Sequence, residues 1–210
     1  RMHLAEDQAS LAVLRSKKGH PDEAAAGFRD AIDIFQKLMD EDPHDFLYRY
    51  RLATIQNFLG ILLRSRIEDA DKLHGQAIAI LEKLVSEAPD EPNYRGELIR
   101  GHYALGLART AAGQAREAAQ AYRQAITVGE SWGDKLARTN NAYVIPAAHC
   151  ALFEILISQL PASGGRQPSE TRPAHAGRSP DSDKQIPQSQ FDEADDLYRK
   201  LIELNPPDAE

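Results

Sequence analysis

The sequence has few cysteines and no excess of positive charge. Cys150 is the single cysteine among 210 residues, which excludes an intramolecular disulfide framework and a zinc site built from cysteines. There are 25 Lys and Arg against 32 Asp and Glu, so the formal net charge is -7. Because phosphate binding requires clustered cations, this balance argues against nucleic acid as a partner.

Long hydrophobic runs are also missing. The most apolar stretch, 143–157, is interrupted by Pro146, His149 and Glu154, and it falls short of the ~20 apolar residues that cross a bilayer. The first residues carry charge where a signal peptide has its apolar segment. We therefore expect a cytoplasmic chain with no membrane span, whose 42% hydrophobic residues suffice to bury a core.

No constellation of catalytic or metal-binding residues stands out. The seven histidines include no pair four residues apart on a helix with a Glu between them, the spacing of a zinc protease. His149 and Cys150 are adjacent, and neighbouring helical side chains point about 100° apart, so they cannot form a catalytic pair. The acids at 40–42 precede Pro43 and are typical of a solvated helix end. We expect no enzyme activity, no cofactor and no metal.

A pattern of small and aromatic residues repeats along the chain. Ala24, Phe28 and Ala31 have the spacing i, i+4, i+7, which places all three on one face of a helix. The last position of this pattern recurs after 46 residues, at Ala77, and again after 48, at Ala125. The later copies are Ala70, His74, Ala77; Ala118, Tyr122, Ala125; and Ala194, Tyr198, Leu201. His74 stands at an aromatic packing position, so we expect it in the core.

The segment before each pattern repeats too. The pair Leu59-Gly60 matches the pair Leu105-Gly106. Gly19 and Gly113 lie in the predicted turns just before two of the alanine patterns. Together these motifs resemble the tetratricopeptide repeat (TPR) family, whose units are two antiparallel helices. The resemblance implies an all-α, TPR-like helical-hairpin solenoid with a right-handed superhelical stack of about four repeats. One hairpin cannot bury its apolar face alone, so hairpins must stack.

The repeats divide the chain into segments. We predict repeats at 1–43, 44–90, 91–134 and 135–160 with 190–206, a disordered Pro/Ser/Gly-rich insert at 161–189, and a tail at 207–210. The predicted first helices are 2–17, 44–64, 91–111 and 135–159; the second helices are 22–41, 67–87, 115–130 and 190–204. Gly60 to Ala70 is two residues shorter than Gly106 to Ala118, which predicts a tighter corner at 63–67.

The TPR resemblance implies that the first helices line a concave groove that binds a partner protein. With Gly60 and Gly106 as the eighth place, the second, fifth and ninth places face this groove. An amide such as Asn57 can pair with a ligand backbone, and Arg100 can grip a carboxylate. The predicted groove residues are Thr54, Asn57, Ile61, Arg100, Tyr103 and Leu107, with Glu6, Ala9 and Val13 as their equivalents in the first repeat. The alternative is that these side chains only pack or meet solvent.

Two finer comparisons concern the partner and the parent protein. TPR clamps for acidic chaperone tails need Lys and Asn where this chain has Ala9 and Val13, so we do not expect that ligand. The sequence segments 76–84 and 93–95 are similar to segments of TPR arrays in planctomycete-type bacterial serine/threonine kinases. The alternative function is therefore a regulatory or substrate-recruiting tail of such a kinase. We also expect weak self-association through end hairpins, and, because the chain begins with Arg1, a longer parent protein.

Overall fold

The computed structural model describes residues 1–133, 135, 141 and 143–159, which contain seven α-helices and no strand. The predicted all-α fold of TPR-like hairpins is confirmed. The chain divides into two compact units, Arg1–His149 and Cys150–Glu210. The predicted insert at 161–189 and the predicted helix at 190–204 lie outside the described residues. The helices are α1 Met2–Lys17, α2 Pro21–Glu41, α3 Phe46–Leu62, α4 Ile67–Glu87, α5 Pro92–Ala111, α6 Ala115–Glu130 and α7 Val144–Gln159.

Capping groups and turn glycines set the helix ends. Helix α3 begins two residues later than predicted because the Asp45 carboxylate caps it, accepting from the amides of Leu47 at 2.7 Å and Tyr48 at 3.0 Å. Gly19 and Gly113 adopt φ of +83° and +73° in the turns before α2 and α6. This left-handed conformation is one that glycine tolerates without steric cost.

The corner between α3 and α4 is turned without glycine, as the shortened spacing predicts. The Arg66 amide donates to the Leu63 carbonyl at 2.7 Å, and the Leu63 amide continues the helical bonding to Leu59. Residues 63–66 are thus a compact turn between two long helices.

Helix α7 starts later than predicted. It begins at Val144, whose amide donates to the Asn141 carbonyl at 3.0 Å. Among the residues described between 135 and 143, none is in an α-helix, so the predicted start at 135 is wrong. Asparagine disfavours a helix interior because its side chain competes for backbone bonds, which is consistent with a turn at this position.

The repeated pattern fills the core of the three hairpins in Arg1–His149. Phe28, His74 and Tyr122 occupy equivalent places, with exposures of 2%, 0% and 1%. Gly60 gives His74 room, since a Cβ there would lie 2.6 Å from Nε2. Gly106 likewise makes room for Tyr122, since a Cβ at Gly106 would lie 2.6 Å from Cδ1 of the ring. The predicted packing role of His74 is confirmed.

In each of the three hairpins, an arginine at the start of the first helix contacts a residue at the end of the second helix. Arg1 pairs with Glu41 in the first hairpin, and Arg49 donates to Glu87 at 3.0 Å in the second. In the third, the equivalent Arg95 guanidinium instead lies over the Trp132 ring, 5.5 Å from its centroid. These contacts hold together the two helices of each hairpin at its open end.

The hairpins of Arg1–His149 stack mainly by packing each second helix on the next first helix, α2 on α3 and α4 on α5. Among the described helices, α1 contacts α3 and α3 contacts α5, whereas the second helices α2, α4 and α6 make no such contacts with one another. The first helices therefore lie side by side along one surface of this unit, which we call the inner surface.

Candidate functional site

The predicted groove residues lie along this inner surface, with one exception. Thr54, Arg100 and Tyr103 are partly exposed, and Ile61 and Leu107 are 36% and 42% exposed. The first-hairpin equivalents Glu6, Ala9 and Val13 are also partly exposed. The exception is Asn57, whose exposure is 0%.

Three apolar side chains form a row across the inner surface. Val13, Ile61 and Leu107 share the same place in α1, α3 and α5, one helical position after the small residue that allows close hairpin packing. Ile61 and Leu107 are among the large hydrophobic residues exposed to solvent. A row of exposed apolar side chains is a common feature of protein interaction surfaces.

An open cleft separates α1 from α3. Two cavities lie along it, of about 370 Å³ and about 490 Å³, and both are lined by Val13 and Phe58. One end carries the ion pair of Glu6 with Arg51, at 3.1 Å. The other end carries Lys17 and Arg64, which have no ion-pair partner among the described residues. The remaining lining residues are Ala9, Ser10, Ser16, Phe28, Phe35, Thr54, Ile55, Ile61, Leu62 and Ser65.

Phe58 is the main residue of this cleft that the sequence reasoning missed. Its ring stacks on Phe28 with centroids 6.0 Å apart and planes 1° from parallel. The Arg100 guanidinium covers it 4.3 Å from the centroid, a favourable cation–π distance. The signal was available, since Phe58 is an aromatic at a place where the other first helices carry Ser10 and Ala104.

A buried polar network lies beneath the inner surface, between α3, α4 and α5. The Asn57 amide donates to Glu97 Oε1 at 2.9 Å, and its oxygen lies 3.0 Å from His74 Nδ1. Because the Asn57 oxygen can only accept, Nδ1 carries the imidazole proton. Arg100 donates to the same Glu97 oxygen through Nε at 3.1 Å. A Cβ on Gly101 would lie 3.2 Å from the Asn57 amide nitrogen, so this glycine makes room for the network.

The network changes two roles expected from the sequence. Asn57 was expected to offer its carboxamide to a partner backbone, but both ends of that group are bound inside the protein. Arg100 was expected to grip a carboxylate of the partner, but it binds Glu97 and covers Phe58. The pattern of a single helix leaves its face open, whereas in the structure Glu97 of α5 is an internal partner of both side chains. The contacts of the other groove residues with a partner stay predictions.

Burial sets the protonation of this network. Burial lowers the pKa of His74 from 6.5 to about 4, and nearby Arg100 acts in the same direction. Burial raises the pKa of Glu97, while Arg100 and the Asn57 hydrogen bond oppose that rise. His74 is therefore a neutral core residue at neutral pH. This network positions Arg100 and Phe58 and does not itself reach solvent.

Tyr103 lies on α5, at the part of the inner surface that the third hairpin forms. Its ring lies 5.7 Å from the buried Tyr122 ring, tilted by 47°. The Tyr122 hydroxyl in turn lies 3.1 Å from Thr110 Oγ1. This aromatic pair fixes the apolar body of Tyr103 against the core, and the partly exposed side chain contributes a flat surface to the groove.

Neither metal ligands nor membrane spans are found in the part of the chain that the structure describes. Within it, no three His, Cys, Asp or Glu side chains converge where they could hold a metal ion. No helix in these residues combines the length and the apolar character needed to pass through a bilayer.

The structure has a TPR-like fold of stacked helical hairpins. No protein-family model matches the sequence, and no curated protein matches it. Among solved structures, BtubC (BKLC) from P. vanneervenii is 14% identical with a TM-score of 0.61, covering 99% of this chain and 66% of that one. The chain thus spans just under two thirds of BtubC, and at this identity the likeness concerns the fold alone.

Two further solved structures are similar at lower TM-scores. TTC0263, a thermophilic TPR protein in Thermus thermophilus, is 20% identical with a TM-score of 0.30, covering 97% of this chain and 93% of that one. MamA from Desulfovibrio magneticus is 18% identical with a TM-score of 0.27, covering 74% of this chain and 96% of that one.

Proposed function

We propose that the chain is a non-catalytic protein–protein interaction scaffold that binds a partner segment along its inner surface. The observation that carries this proposal is the open cleft between α1 and α3, whose lining includes the apolar side chains of Val13 and Ile61, with Leu107 exposed at the same place on α5. Such clefts bury apolar anchors of a partner, while polar groups at the rim fix its orientation. We place this activity in the cytoplasm and expect it to need no cofactor.

The cleft suggests how a segment would lie. Apolar side chains of the partner would enter beside Val13 and Phe58, where the two cavities meet. Acidic groups of the partner would lie near Lys17 and Arg64, whose charges are uncompensated among the described residues. At the opposite end, the pair of Glu6 with Arg51 leaves little net charge. A segment that is apolar in its middle and acidic at one end fits these features.

A photo-crosslinking experiment tests the proposal. A benzophenone amino acid replaces Ile61 in the groove or, as the control, Leu47 at the start of the same helix. These residues are 36% and 40% exposed, and Leu47 lines neither cavity. We expect crosslinks to a specific protein from position 61 and not from position 47. Equal crosslinking from both positions would contradict the groove assignment.

Substitutions at the same two positions give a second readout. Ile61→Glu places a charge within the apolar row and should weaken binding of the crosslinked partner by about tenfold or more. Leu47→Glu adds the same charge in the first turn of α3, where a carboxylate suits the helix dipole, and should leave binding unchanged. Circular dichroism verifies that both variants are folded.

The alternative proposal is a regulatory or substrate-recruiting tail of a larger bacterial serine/threonine kinase. It is favoured by the sequence segments 76–84 and 93–95 and by the repeat spacings of 46 and 48 residues. The encoding reading frame tests it: a kinase domain upstream of Arg1 supports this function, and a start codon at Met2 contradicts it.

A further inference from the structure

The two cavities of the cleft between α1 and α3 lie on opposite sides of a shared wall. Val13 and Phe58 line both of them. The cavity of about 370 Å³ lies towards the N-terminal ends of the two helices. The cavity of about 490 Å³ lies towards their C-terminal ends, where its lining includes Lys17 and Arg64. A partner that fills both cavities therefore needs two apolar side chains, one on each side of Val13 and Phe58.

The Phe58 ring in this wall is held from within the protein. It stacks on the Phe28 ring with centroids 6.0 Å apart, and the Arg100 guanidinium lies 4.3 Å from its centroid. Arg100 is held in turn by the buried Glu97, to which its Nε donates at 3.1 Å. Because these contacts fix the ring, the spacing of the two cavities is set before a partner arrives, which lowers the entropic cost of binding.

The separation of the cavities matches the repeat of an α-helix. Their lining residues are centred about six residues apart on α1 and about seven to eight apart on α3, which is about 9–12 Å at the helical rise. Side chains seven residues apart on a helix share one face at about 10.5 Å. On a β-strand, side chains of one face lie about 7 Å or about 13 Å apart, outside this range. A polyproline II segment reaches its lower limit, at about 9 Å.

The polarity of the cleft favours a helix over a polyproline II segment. Val13 and Phe58, which both cavities share, have no hydrogen-bonding group in their side chains, and neither has Ile61 beside them. A polyproline II segment has no internal hydrogen bonds and would bring unpaired amides and carbonyls onto this apolar surface. A helix pairs these groups internally and needs to bury only one apolar face in a groove.

Charge determines the direction of such a helix. Lys17 is the last residue of α1 and Arg64 follows the end of α3, and both side chains are exposed. Helix C-termini carry partial negative charge, so a helix antiparallel to α1 and α3 meets them with its positive N-terminal end. Acidic residues stabilise the first turn of a helix and there would face Lys17 and Arg64. At the other end of the cleft, Glu6 and Arg51 pair at 3.1 Å and leave little net charge.

We propose that the occupant of the cleft is an amphipathic helix of a partner protein that runs antiparallel to α1. It has acidic residues in its first turn and two large apolar side chains seven residues apart. The first of these enters the larger cavity and the second enters the smaller one. This inference rests on the proposed function and adds to it the conformation, the direction and the anchor spacing of the partner segment.

Selection from displayed peptides tests the conformation and the spacing. The full chain is immobilised and presented with random peptides of about the length of α1, and the selected peptides are then measured against Ile61→Glu. Peptides that this variant binds about tenfold more weakly, or worse, are groove ligands. We expect the groove ligands to be enriched in apolar pairs seven residues apart that follow acidic residues, and to gain helical circular dichroism on binding.

The outcomes separate this inference from the proposed function. Groove ligands with alternating or proline-rich patterns, or without helix formation on binding, would overturn the helix and leave the groove assignment intact. If no selected peptide responds to Ile61→Glu, the groove assignment is contradicted and the helix with it.

Variants of the strongest groove ligand test spacing and direction separately. Moving its second apolar residue by one position rotates that side chain by about 100° around the peptide helix and should weaken binding about tenfold. Moving the acidic residues from the first turn to the last should weaken binding about fivefold, because the last turn disfavours carboxylates and lies far from Lys17 and Arg64. Unchanged affinity would contradict the spacing in the first case and the antiparallel direction in the second.

Charge reversal in the protein tests the position of the acidic residues. Lys17→Glu and Arg64→Glu should each weaken the ligand about fivefold, and a ligand with lysines in its first turn should bind both variants better than it binds wild type. Lys18→Glu is the matched control, since Lys18 is exposed like Lys17 but lines neither cavity. An equal loss with Lys18→Glu would show that only overall charge attracts the ligand, and would overturn the assigned pairing.

Discussion

Gly106 and Gly75 should respond in opposite directions to the same substitution by alanine. A Cβ at Gly106 would press on Cε1 of Tyr122 and lie 2.6 Å from Cδ1 of the same ring. That ring is 1% exposed, and its hydroxyl is held near Thr110, so it cannot swing away freely. A Cβ at Gly75, in the interior of α4, would have no heavy atom within 4 Å.

The expected magnitudes follow from this geometry. Overpacking a rigid core costs about 1–3 kcal/mol. Replacing a helical glycine by alanine stabilises the helix by about 1 kcal/mol. Gly75→Ala should therefore stabilise the fold by up to about 1 kcal/mol, whereas Gly106→Ala should destabilise it by up to about 2 kcal/mol, because the clash outweighs the helical gain.

Urea unfolding followed by far-ultraviolet circular dichroism measures both free energies of unfolding. The slopes with urea should match wild type, so that the midpoints alone report stability. If Gly106→Ala proved as stabilising as Gly75→Ala, the close approach of α5 and α6 through this glycine would be refuted.

Two other predictions concern the buried network. Asn57→Ala removes hydrogen-bond partners of buried Glu97 and His74 and should cost about 2–3 kcal/mol of unfolding free energy in urea; an unchanged midpoint would contradict the network. Because folding lowers the pKa of His74 and of His102 from 6.5 to about 4, the unfolded chain binds more protons. Stability should be full above about pH 6.5 and fall towards pH 4, by roughly 3 kcal/mol at most from His74. The raised pKa of Glu97 opposes this loss at the acid end. His74→Phe should flatten the midpoint's pH dependence, and an equally steep profile would argue against His74.

The repeat register was predictable because it rests on side-chain size alone. The small residues and the aromatic place of the pattern predict that His74 packs in the core, and in the structure it lies beside Gly60. Tyr122 lies beside Gly106 in the same way. Each pair lies within one hairpin, so the sequence pattern contains both partners.

The position of Asn57 was not predictable in this way. Its register places it on the inner face of α3, but its burial is decided by α5. Gly101 leaves the space, and Glu97 supplies the acceptor. These partners are 40 or more residues away in sequence, and no single-helix rule links them. The cleft beside Phe58 was missed for a similar reason, since it depends on the separation of α1 from α3.

The contact between Arg95 and Trp132 at the end of the third hairpin has a spectroscopic consequence. Trp132 is the sole tryptophan in the chain, and it lies half-buried under the Arg95 guanidinium. Its emission therefore reports on one end of one hairpin, while circular dichroism averages over all the helices. If this end opens before the rest unfolds, a red shift in fluorescence will precede the loss of ellipticity, and the native chain needs no added label to reveal it.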